Sequence, residues 1–296
     1  MLRDRDLLKK TWQPHRFNSG EKKNVVMGID SGSTTTKIVL LDAESHDVLY
    51  KEYFRNAEGN QFESIHRGLK RLQEQIGERI TIVHVGVTGS AREAIGAVVG
   101  ADEVIDEINA HATGVCHIEP NTDTIFEIGG QDSKFIRVEH GIATDFEMNK
   151  ICAAGTGSFL DEAADRVLNI PVEQLGDMAL SDSPEPEDLG ETCAVFMKSR
   201  VVRAQAQGAT PESIAAGLSR SIVTNYLHKV VGGHQIGDNI FFLGGTTFNH
   251  ATVAAFEQIT GKRITVPEHA EVMGAIGAAL VASTDHAEMI LDAQQR

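Results

Sequence analysis

The sequence predicts an α/β fold in which two similar domains face each other across a cleft. Short apolar runs alternate with helical patterns along the chain, as they do in α/β proteins. One supersecondary plan, strand–turn–strand–strand–helix, occurs twice, and this weak internal repeat indicates two domains of one kind. Because 41% of the 296 residues are hydrophobic, the chain can bury a substantial interior and is not disordered as a whole.

The first copy of the plan follows a polar N-terminal stretch. Its expected elements are three strands, a helix with an apolar stripe and a buried strand, at residues 25–30, 37–42, 47–55, 62–76 and 80–87. The turn between the first two strands is short. It therefore favours a hairpin over the strand–helix unit of a doubly wound nucleotide-binding fold.

The second copy follows a helix that we expect over residues 103–117. Its three strands are expected at residues 124–128, 134–138 and 142–148. Beyond residue 152 the pattern is mainly helical. The remaining elements are a last strand that ends on a glycine pair and a helix rich in glycine and alanine, at residues 239–243 and 272–282.

These elements divide the chain into three segments. Residues 1–23 are a polar tail, a linker remnant or part of a longer parent protein. We expect a first domain over residues 24–118, with a C-terminal helix of about residues 272–294 packing back on it. A second domain is expected over residues 119–271.

The composition excludes several classes of function. With 27 Lys and Arg against 42 Asp and Glu, the formal net charge is −15, which argues against binding to nucleic acid or to an anionic membrane. No run approaches the roughly 18 apolar residues of a membrane helix. The N-terminus lacks the apolar run of a signal peptide. We therefore expect a cytoplasmic protein with no nucleic-acid or membrane partner.

The first hairpin turn has the composition of a phosphate-binding turn. It reads Asp30-Ser31-Gly32-Ser33-Thr34-Thr35-Thr36-Lys37. Glycine allows close approach of the backbone, and successive amide N–H groups with Ser and Thr hydroxyls can surround phosphate oxygens. Asp30 could order Mg²⁺ through water, because magnesium prefers oxygen ligands and keeps several waters. An ordinary turn of turn-forming residues is an equally consistent interpretation of this segment alone.

Two later turns repeat the pattern of a strand end followed by glycines. The second is Glu127-Ile128-Gly129-Gly130-Gln131-Asp132-Ser133-Lys134, and the third is Phe242-Leu243-Gly244-Gly245-Thr246-Thr247-Phe248-Asn249. The third offers a flat glycine surface beside a helix N-terminus, which suits a planar base or a ribose. Each glycine pair alone could simply mark the end of a strand. Three such turns in this order are much less expected by chance than one. No P-loop motif is present in the sequence.

Three cysteines are too few for a disulfide scaffold or for a closed four-thiolate site within one chain. Cys152 and Cys193 each precede an expected helix, where the positive end of the helix dipole favours a thiolate. Two small buried hydrophobic residues are the alternative, and the residues alone favour it. Cys116 lies within a helical apolar stripe and is expected to be a core residue.

The three turns, in this order, resemble the phosphate-1, phosphate-2 and adenosine motifs of the acetate kinase/actin/sugar kinase superfamily of ATPases. More closely, residues 28–282 resemble the ATP-dependent activators of 2-hydroxyacyl-CoA dehydratases and the related ATPase subunits of benzoyl-CoA reductases. The matching segments are Gly28-Ile29-Asp30-Ser31-Gly32-Ser33-Thr34, Ile128-Gly129-Gly130-Gln131-Asp132, Asn149-Lys150-Ile151-Cys152-Ala153-Ala154-Gly155-Thr156-Gly157 and Cys193-Ala194-Val195-Phe196. One departure is Glu127, where members of this type usually have Asp.

The resemblance implies two actin-like, ribonuclease H-like domains with ATP or ADP and Mg²⁺ in the cleft between them. Asp30 and Gln131 would be catalytic, with Gln131 positioning the hydrolytic water. The nucleotide-binding residues would be Ser31, Gly32, Ser33, Thr34, Thr35, Lys37, Gly129, Gly130, Asp132, Gly244, Gly245 and Asn249. Cys152 and Cys193 of two identical subunits would share one four-iron four-sulfur cluster, which makes the protein a homodimer.

The same resemblance implies a function. ATP hydrolysis would drive the delivery of one low-potential electron to a partner iron–sulfur enzyme, such as a 2-hydroxyacyl-CoA dehydratase or a double-cubane-cluster protein. Reduced ferredoxin or flavodoxin would be the electron donor. Two alternatives stay open at this point: a small-molecule kinase that phosphorylates a sugar or a carboxylate, and a redox sensor that passes no electrons to an enzyme.

A kinase would need a carboxylate base. In the N-acetylhexosamine kinases that resemble this branch, an Asn-Asp pair opens the corresponding helix. Here Ala110 follows Asn109, although Asp106 lies one turn earlier. His111 could lie near the terminal phosphate or be an ordinary buried histidine.

Overall fold

The computed structural model describes residues 14–56, 60–149, 155–181, 185–190 and 194–283. Within these ranges it contains two five-stranded sheets with helices packed against them, so the predicted α/β class is confirmed. None of the helices in the described part is long and apolar enough to cross a membrane.

The first sheet has the strand order β3-β2-β1-β4-β5. Its strands are β1 (Lys23–Ser31), β2 (Thr35–Asp42), β3 (Val48–Arg55), β4 (Ile80–Thr88) and β5 (Glu103–Val104). β1, β2 and β3 form an antiparallel meander, whereas β4 pairs with β1 in parallel and β5 pairs with β4 in parallel. The hairpin that the short first turn predicts is therefore confirmed.

The second sheet repeats this topology with the order β10-β9-β6-β7-β8. Its strands are β6 (Thr124–Ile128), β7 (Ser133–Glu139), β8 (Ile142–Met148), β9 (Ile240–Leu243) and β10 (Ile264–Thr265). β6, β7 and β8 are antiparallel, and β9 and β10 extend the sheet in parallel from β6. Written in the opposite direction, this order is β8-β7-β6-β9-β10, in which β6 takes the central place that β1 has in the first sheet. The predicted internal repeat is therefore confirmed.

Four helices of the described part begin at a polar side chain that caps them. The helices of this part are α1 (Gln61–Ile76), α2 (Arg92–Val99), α3 (Glu107–Ile118), α4 (Gly157–Ala163), α5 (Leu175–Leu180), α6 (Ala194–Ala206), α7 (Pro211–Tyr226), α8 (His250–Thr260) and α9 (Met273–Ala282). Asn60, Asp106, Thr210 and Asn249 each accept a hydrogen bond from a backbone N–H of the first turn of α1, α3, α7 and α8, respectively. Such caps satisfy backbone donors that have no partner within the helix.

α9 ends the second copy of the plan but packs on the first sheet. It covers β1 and β4, and glycine in these strands permits the close approach. A Cβ at Gly28 would overlap the carbonyl oxygen of Ala275, and a Cβ at Gly86 would overlap that of Ala278. The stripe of glycine and alanine in α9 therefore reflects backbone-to-backbone packing.

α3 ends the first copy but packs against β7 and β8 of the second sheet. It also crosses α9, where Gly277 faces the carbonyl group of Ala110 and Gly114 faces Met273. Each glycine thus contacts the residue four positions before the glycine of the other helix, so the crossing is nearly symmetric. One apolar core joins both helices to both sheets, and Cys116 packs against it as predicted.

Three expectations for the elements are wrong. Glu103 and Val104 are not helical but pair with β4 as β5, and the helix begins only at Glu107, after its cap. The strand at residues 239–243 is not the last, because β10 follows it. β4 is present as predicted but is not buried throughout: Ile82 and Val83 are exposed because α9 covers the strand only further along, from Gly86.

Candidate active site

The first two hairpin turns meet in the cleft between the sheets. The turn between β1 and β2 contacts the turn between β6 and β7, since a Cβ at Gly130 would lie 2.7 Å from the Cβ of Thr34. Only glycine at this position lets the two backbones approach so closely. Within the first turn, Gly32 N–H donates to the carbonyl oxygen of Thr35 at 3.1 Å, and Asn56 Nδ2 donates to the carbonyl oxygen of Gly32 at 2.8 Å.

An acid and a lysine face each other across each hairpin. Asp30 lies opposite Lys37 in the β1–β2 ladder, and Lys37 Nζ is 2.9 Å from Asp30 Oδ2. Glu127 lies opposite Lys134 in the β6–β7 ladder, and Lys134 Nζ is 3.2 Å from Glu127 Oε2. The internal repeat thus extends to the charged side chains that stand at the mouth of each turn.

Lys134 connects the two halves of the molecule. Besides Glu127, its Nζ lies 2.7 Å from Asp132 Oδ2 and 2.8 Å from Glu107 Oε2. Glu107 is the first residue of α3, which belongs to the first copy of the plan. The side chain of Lys134 is only 2% exposed, so this is a buried cation surrounded by three carboxylates.

Burial and these ion pairs shift the pKa values in the cleft. Burial opposes the charge of Lys134, but the carboxylates outweigh it and raise its pKa well above the usual value. Burial raises the pKa of Glu127 to about 7 and also raises that of Glu107, in both cases against the attraction of Lys134. For Asp132 the balance is reversed, since Lys134 outweighs burial and lowers the pKa.

Three buried polar atoms near Asp30 have no hydrogen-bond partner in the described part of the chain. They are Ser31 Oγ, Thr88 Oγ1 and His111 Nδ1. Thr88 is the register partner of Asp30 on β4, and a Cβ at Gly274 would lie within 3.5 Å of both Asp30 and His111. Because buried polar groups are nearly always paired, these atoms fit a polar group such as a phosphate or a hydrated cation beside Asp30.

His111 is a neutral side chain within this cluster. Burial, reinforced by the charge of Lys134, lowers its pKa to about 3. It is 7% exposed and lies on α3 where that helix crosses α9. His111 is therefore a buried histidine beside the candidate phosphate site, and a contact with the terminal phosphate stays a prediction.

The third turn lies against the second. Gly244 has φ of +93°, and a Cβ there would overlap the carbonyl oxygen of Ile128. Beside it, a Cβ at Gly245 would lie 2.5 Å from the hydroxyl of Tyr53, a residue of β3 in the first sheet. The ring of Tyr53 contacts that of Phe248 edge-on, with 6.1 Å between the centroids. The third turn therefore contacts both the second turn and the first sheet.

The side chains of two predicted site residues form hydrogen bonds within the protein. Asn249 accepts from the N–H groups of Ala251 and Thr252 as the cap of α8, and its Nδ2 lies 3.2 Å from Ser219 Oγ. Gln131 is exposed, and its Nε2 donates to Ser158 Oγ at 3.1 Å. The nucleotide-binding and catalytic roles of the predicted residues stay predictions.

Cys152 and Cys193 lie outside the described residues, and no group of three or more metal-ligating side chains occurs within them. The helices that follow the two cysteines are nevertheless linked. α6 begins directly after Cys193, and α4 begins five residues after Cys152. Lys198, in the second turn of α6, forms an ion pair with Glu162, in the second turn of α4.

Neither the ion pair between Glu107 and Lys134 nor the position of Tyr53 beside the third turn was predicted from the sequence. A signal for the lysines was present, because an acid precedes a lysine by seven residues in both hairpins. No such local signal exists for Glu107, which meets Lys134 only because α3 packs on the other sheet.

Comparisons with known proteins agree with this architecture. The chain is 35% identical over 260 residues to the 2-hydroxyisocaproyl-CoA dehydratase activator of Clostridioides difficile, covering 86% of this chain and 94% of that protein. It is 29% identical over 270 residues to the uncharacterized protein MJ0800 of Methanocaldococcus jannaschii, covering 89% of this chain. It spans only 63% of MJ0800, less than two thirds of that relative's length.

A solved structure agrees with the fold as well. The activator of the 2-hydroxyisocaproyl-CoA dehydratase from Clostridium difficile with bound ADPNP superposes with a TM-score of 0.80 at 33% identity, covering 90% of this chain and 97% of that one. The resemblance stated from the motifs is confirmed. A sequence profile of the BadF/BadG/BcrA/BcrD ATPase family matches residues 27–282, and the chain therefore belongs to this ATPase family.

Proposed function

We propose that this protein is an ATP-dependent electron donor that couples ATP hydrolysis to one-electron transfer from an iron–sulfur cluster to a partner iron–sulfur enzyme. The observation that supports it most is the cleft itself. Two hairpin turns, each with its acid–lysine pair, face one another beside three buried polar atoms that have no hydrogen-bond partner among the residues that the structure describes. Relatives named as dehydratase activators support the choice of electron delivery over a small-molecule kinase.

ATP binds with its phosphates between the two hairpin turns. The backbone and hydroxyls of Ser31, Gly32, Ser33, Thr34 and Thr35 surround the phosphate oxygens from one side, and Gly129, Gly130 and Asp132 do so from the other. Lys37 supplies a cation, and Asp30 orders Mg²⁺ through water. Gly244 and Gly245 leave a flat surface for the nucleoside, next to the ring of Tyr53. The neighbour with bound ADPNP supports a nucleotide in this fold.

Cys152 and Cys193 of each of two subunits hold one four-iron four-sulfur cluster. Such a cluster needs four thiolates, which an isologous dimer supplies as two from each chain. The ion pair between Lys198 and Glu162 supports this assignment, because it holds the helices that follow the two cysteines together. When bound, the cluster supplies the one-electron redox chemistry that no amino-acid side chain of the cleft provides.

The nucleotide state acts on the cluster through the angle between the two halves. Arg55 of β3 lies 2.7 Å from Asp161 of α4, so the first sheet is tied to the helix that follows Cys152. A ligand shifts such an arrangement only by contacting its two states differently. ATP between the hairpins does so, and the electron then passes to an acceptor such as a 2-hydroxyacyl-CoA dehydratase or a double-cubane-cluster protein. Reduced ferredoxin or flavodoxin supplies the electron.

Anaerobic purification with iron and sulfide analysis tests the proposal. We expect about four irons per dimer and their loss in both Cys152→Ser and Cys193→Ser, whereas Cys116→Ser retains them as the matched control. Reduced protein should transfer an electron to an oxidised iron–sulfur acceptor only when ATP is present. A colourless protein that hydrolyses ATP and phosphorylates a sugar or a carboxylate would contradict the proposal. Cluster binding without ATP-dependent electron transfer would favour a redox sensor.

A further inference from the structure

We propose that Glu107 is the catalytic residue that accepts the proton of the attacking water when the terminal phosphate of ATP is hydrolysed. The inference deepens the proposed function and rests on it. It starts from the position of Glu107 as the first residue of α3, which enters the cleft between the two hairpins and meets Lys134 at 2.8 Å. No motif in the sequence points to this residue.

Exposure separates Glu107 from Asp30 and Glu127, whereas the side chain of Asp132 is 41% exposed and lies open to solvent. The side chains of Asp30 and Glu127 are 9% and 6% exposed, and each is paired with the lysine of its own hairpin. Glu107 is 19% exposed, so it is held in the buried cluster by Lys134 yet keeps an edge that water can reach. The charges of Asp30 and Asp132, one from each hairpin, also act on Glu107 and help to raise its pKa.

The other candidates for the proton acceptor are poorly suited. An amide such as that of Gln131 cannot accept a proton usefully, and this one donates to Ser158. Asp106 uses both carboxylate oxygens locally, on the backbone N–H and the side-chain amide of Asn109. His111 is a weak base because burial lowers its pKa to about 3. The pKa of Asp132 is lowered by Lys134, whereas burial raises that of Glu107 and makes it the stronger base.

The step balances with water as the only co-reactant besides ATP. The water oxygen forms a bond to the terminal phosphorus while the bond from that phosphorus to the bridging oxygen breaks, and its electron pair leaves with ADP. The proton of the water passes to a carboxylate oxygen of Glu107 and returns to the released phosphate or to solvent. Lys134 fixes the carboxylate by an ion pair that crosses the cleft. No electron is transferred in this step.

The test compares Glu107→Gln with Glu107→Asp and with Glu103→Gln, an exposed control on β5. We expect Glu107→Gln to lower single-turnover ATP hydrolysis by about 10²- to 10⁴-fold, the range for loss of a general base. Its affinity for Mg-ATP, measured by calorimetry, should be unchanged. Glu107→Asp should keep part of the activity, and Glu103→Gln should hydrolyse ATP as the wild type does.

Chemical rescue separates proton acceptance from a purely structural ion pair. Formate should restore hydrolysis to Glu107→Ala, whereas chloride, which can pair with Lys134 but is not a base, should not. Hydrolysis by Glu107→Gln at the wild-type rate, loss of Mg-ATP binding in that variant, or equal rescue by chloride and formate would each overturn the assignment. A wild type that hydrolyses ATP but holds no iron would overturn the electron-donor function alone and leave the role of Glu107 measurable.

Discussion

Lys134 is a buried cation whose three partners come from two parts of the molecule. Burying a charge is costly, and pairing with carboxylates repays that cost only where the geometry is good. Here Asp132 and Glu127 come from its own hairpin, while Glu107 comes from α3. The arrangement therefore ties the stability of the cleft to the position of α3.

Glu127 gives this cluster a pH dependence. Its pKa is raised by burial from 4.5 to about 7, so the folded protein binds more protons than the unfolded chain between these values. The free energy of unfolding must then fall as the pH rises through this window, by at most about 1.4 kcal/mol per pH unit from this group.

The variant Glu127→Gln removes that dependence. We expect its stability, measured by urea denaturation, to equal that of the wild type at about pH 4.5 and to exceed it increasingly up to about pH 7. Lys134 keeps Glu107 and Asp132 as partners in this variant. Glu139→Gln, at an exposed site on β7, is the matched control for the loss of one carboxylate outside this cluster. A constant offset between wild type and Glu127→Gln at every pH would contradict this origin.

At the level of elements, the hairpins could be predicted, and the packing of the C-terminal helix on the first domain is also expected from the sequence, but the packing of α3 against the second sheet could not be predicted. A hairpin depends on neighbouring residues, and the turn from Asp30 to Lys37 shows its strands and its acid in the sequence itself. The position of α3 depends on contacts between residues far apart in the chain, such as Gly277 with Ala110. For the same reason the sequence indicates Asp30 as a site residue but gives no sign that Glu107 meets Lys134. For Asn249 the motif match predicts a nucleotide contact, which stays a prediction, while the structure shows its side chain capping α8.

Gly277 at the crossing of the two helices allows a direct test of this packing. Replacing glycine by alanine inside a helix is worth about 1 kcal/mol in intrinsic propensity. The added Cβ would however overlap the carbonyl group of Ala110, and backbone atoms cannot move away as a flexible side chain does. Since overpacking costs about 1–3 kcal/mol, we expect Gly277→Ala to lower the melting temperature. Gly233→Ala, where no atom lies within 4 Å of the new Cβ, should leave it unchanged. If Gly277→Ala raised the melting temperature, its helix propensity would outweigh the overlap with Ala110, and α3 and α9 would have to lie further apart.

At the scale of the whole molecule, the contacts between the two halves that the structure describes include three near the hairpin turns and α4. Thr34 meets Gly130, Arg55 pairs with Asp161, and Tyr53 contacts Phe248. The first contact lies at the candidate phosphate site, and the second adjoins the helix that follows Cys152. A nucleotide that enters or leaves between the hairpins must separate Thr34 from Gly130. Because Arg55 pairs with Asp161, we expect the same movement to change the angle at which α4 meets the first sheet. The proposed function therefore predicts that nucleotide exchange changes the geometry of the helices beside the cysteines.

A disulfide between the hairpins tests whether nucleotide passes between these two turns. A Cβ at Gly130 would lie 2.7 Å from that of Thr34, slightly closer than the roughly 3.5–4.5 Å of a disulfide, so a small shift permits the bond. We expect oxidation of Thr34→Cys/Gly130→Cys to stop both uptake and release of a fluorescent ATP analogue, because neither path remains open. Reduction should restore exchange. The single variants, oxidised in the same way, control for damage to the site and for pairing with native cysteines. Exchange that continues in the oxidised double variant would show that nucleotide does not pass between these turns, and the phosphate site would then lie elsewhere.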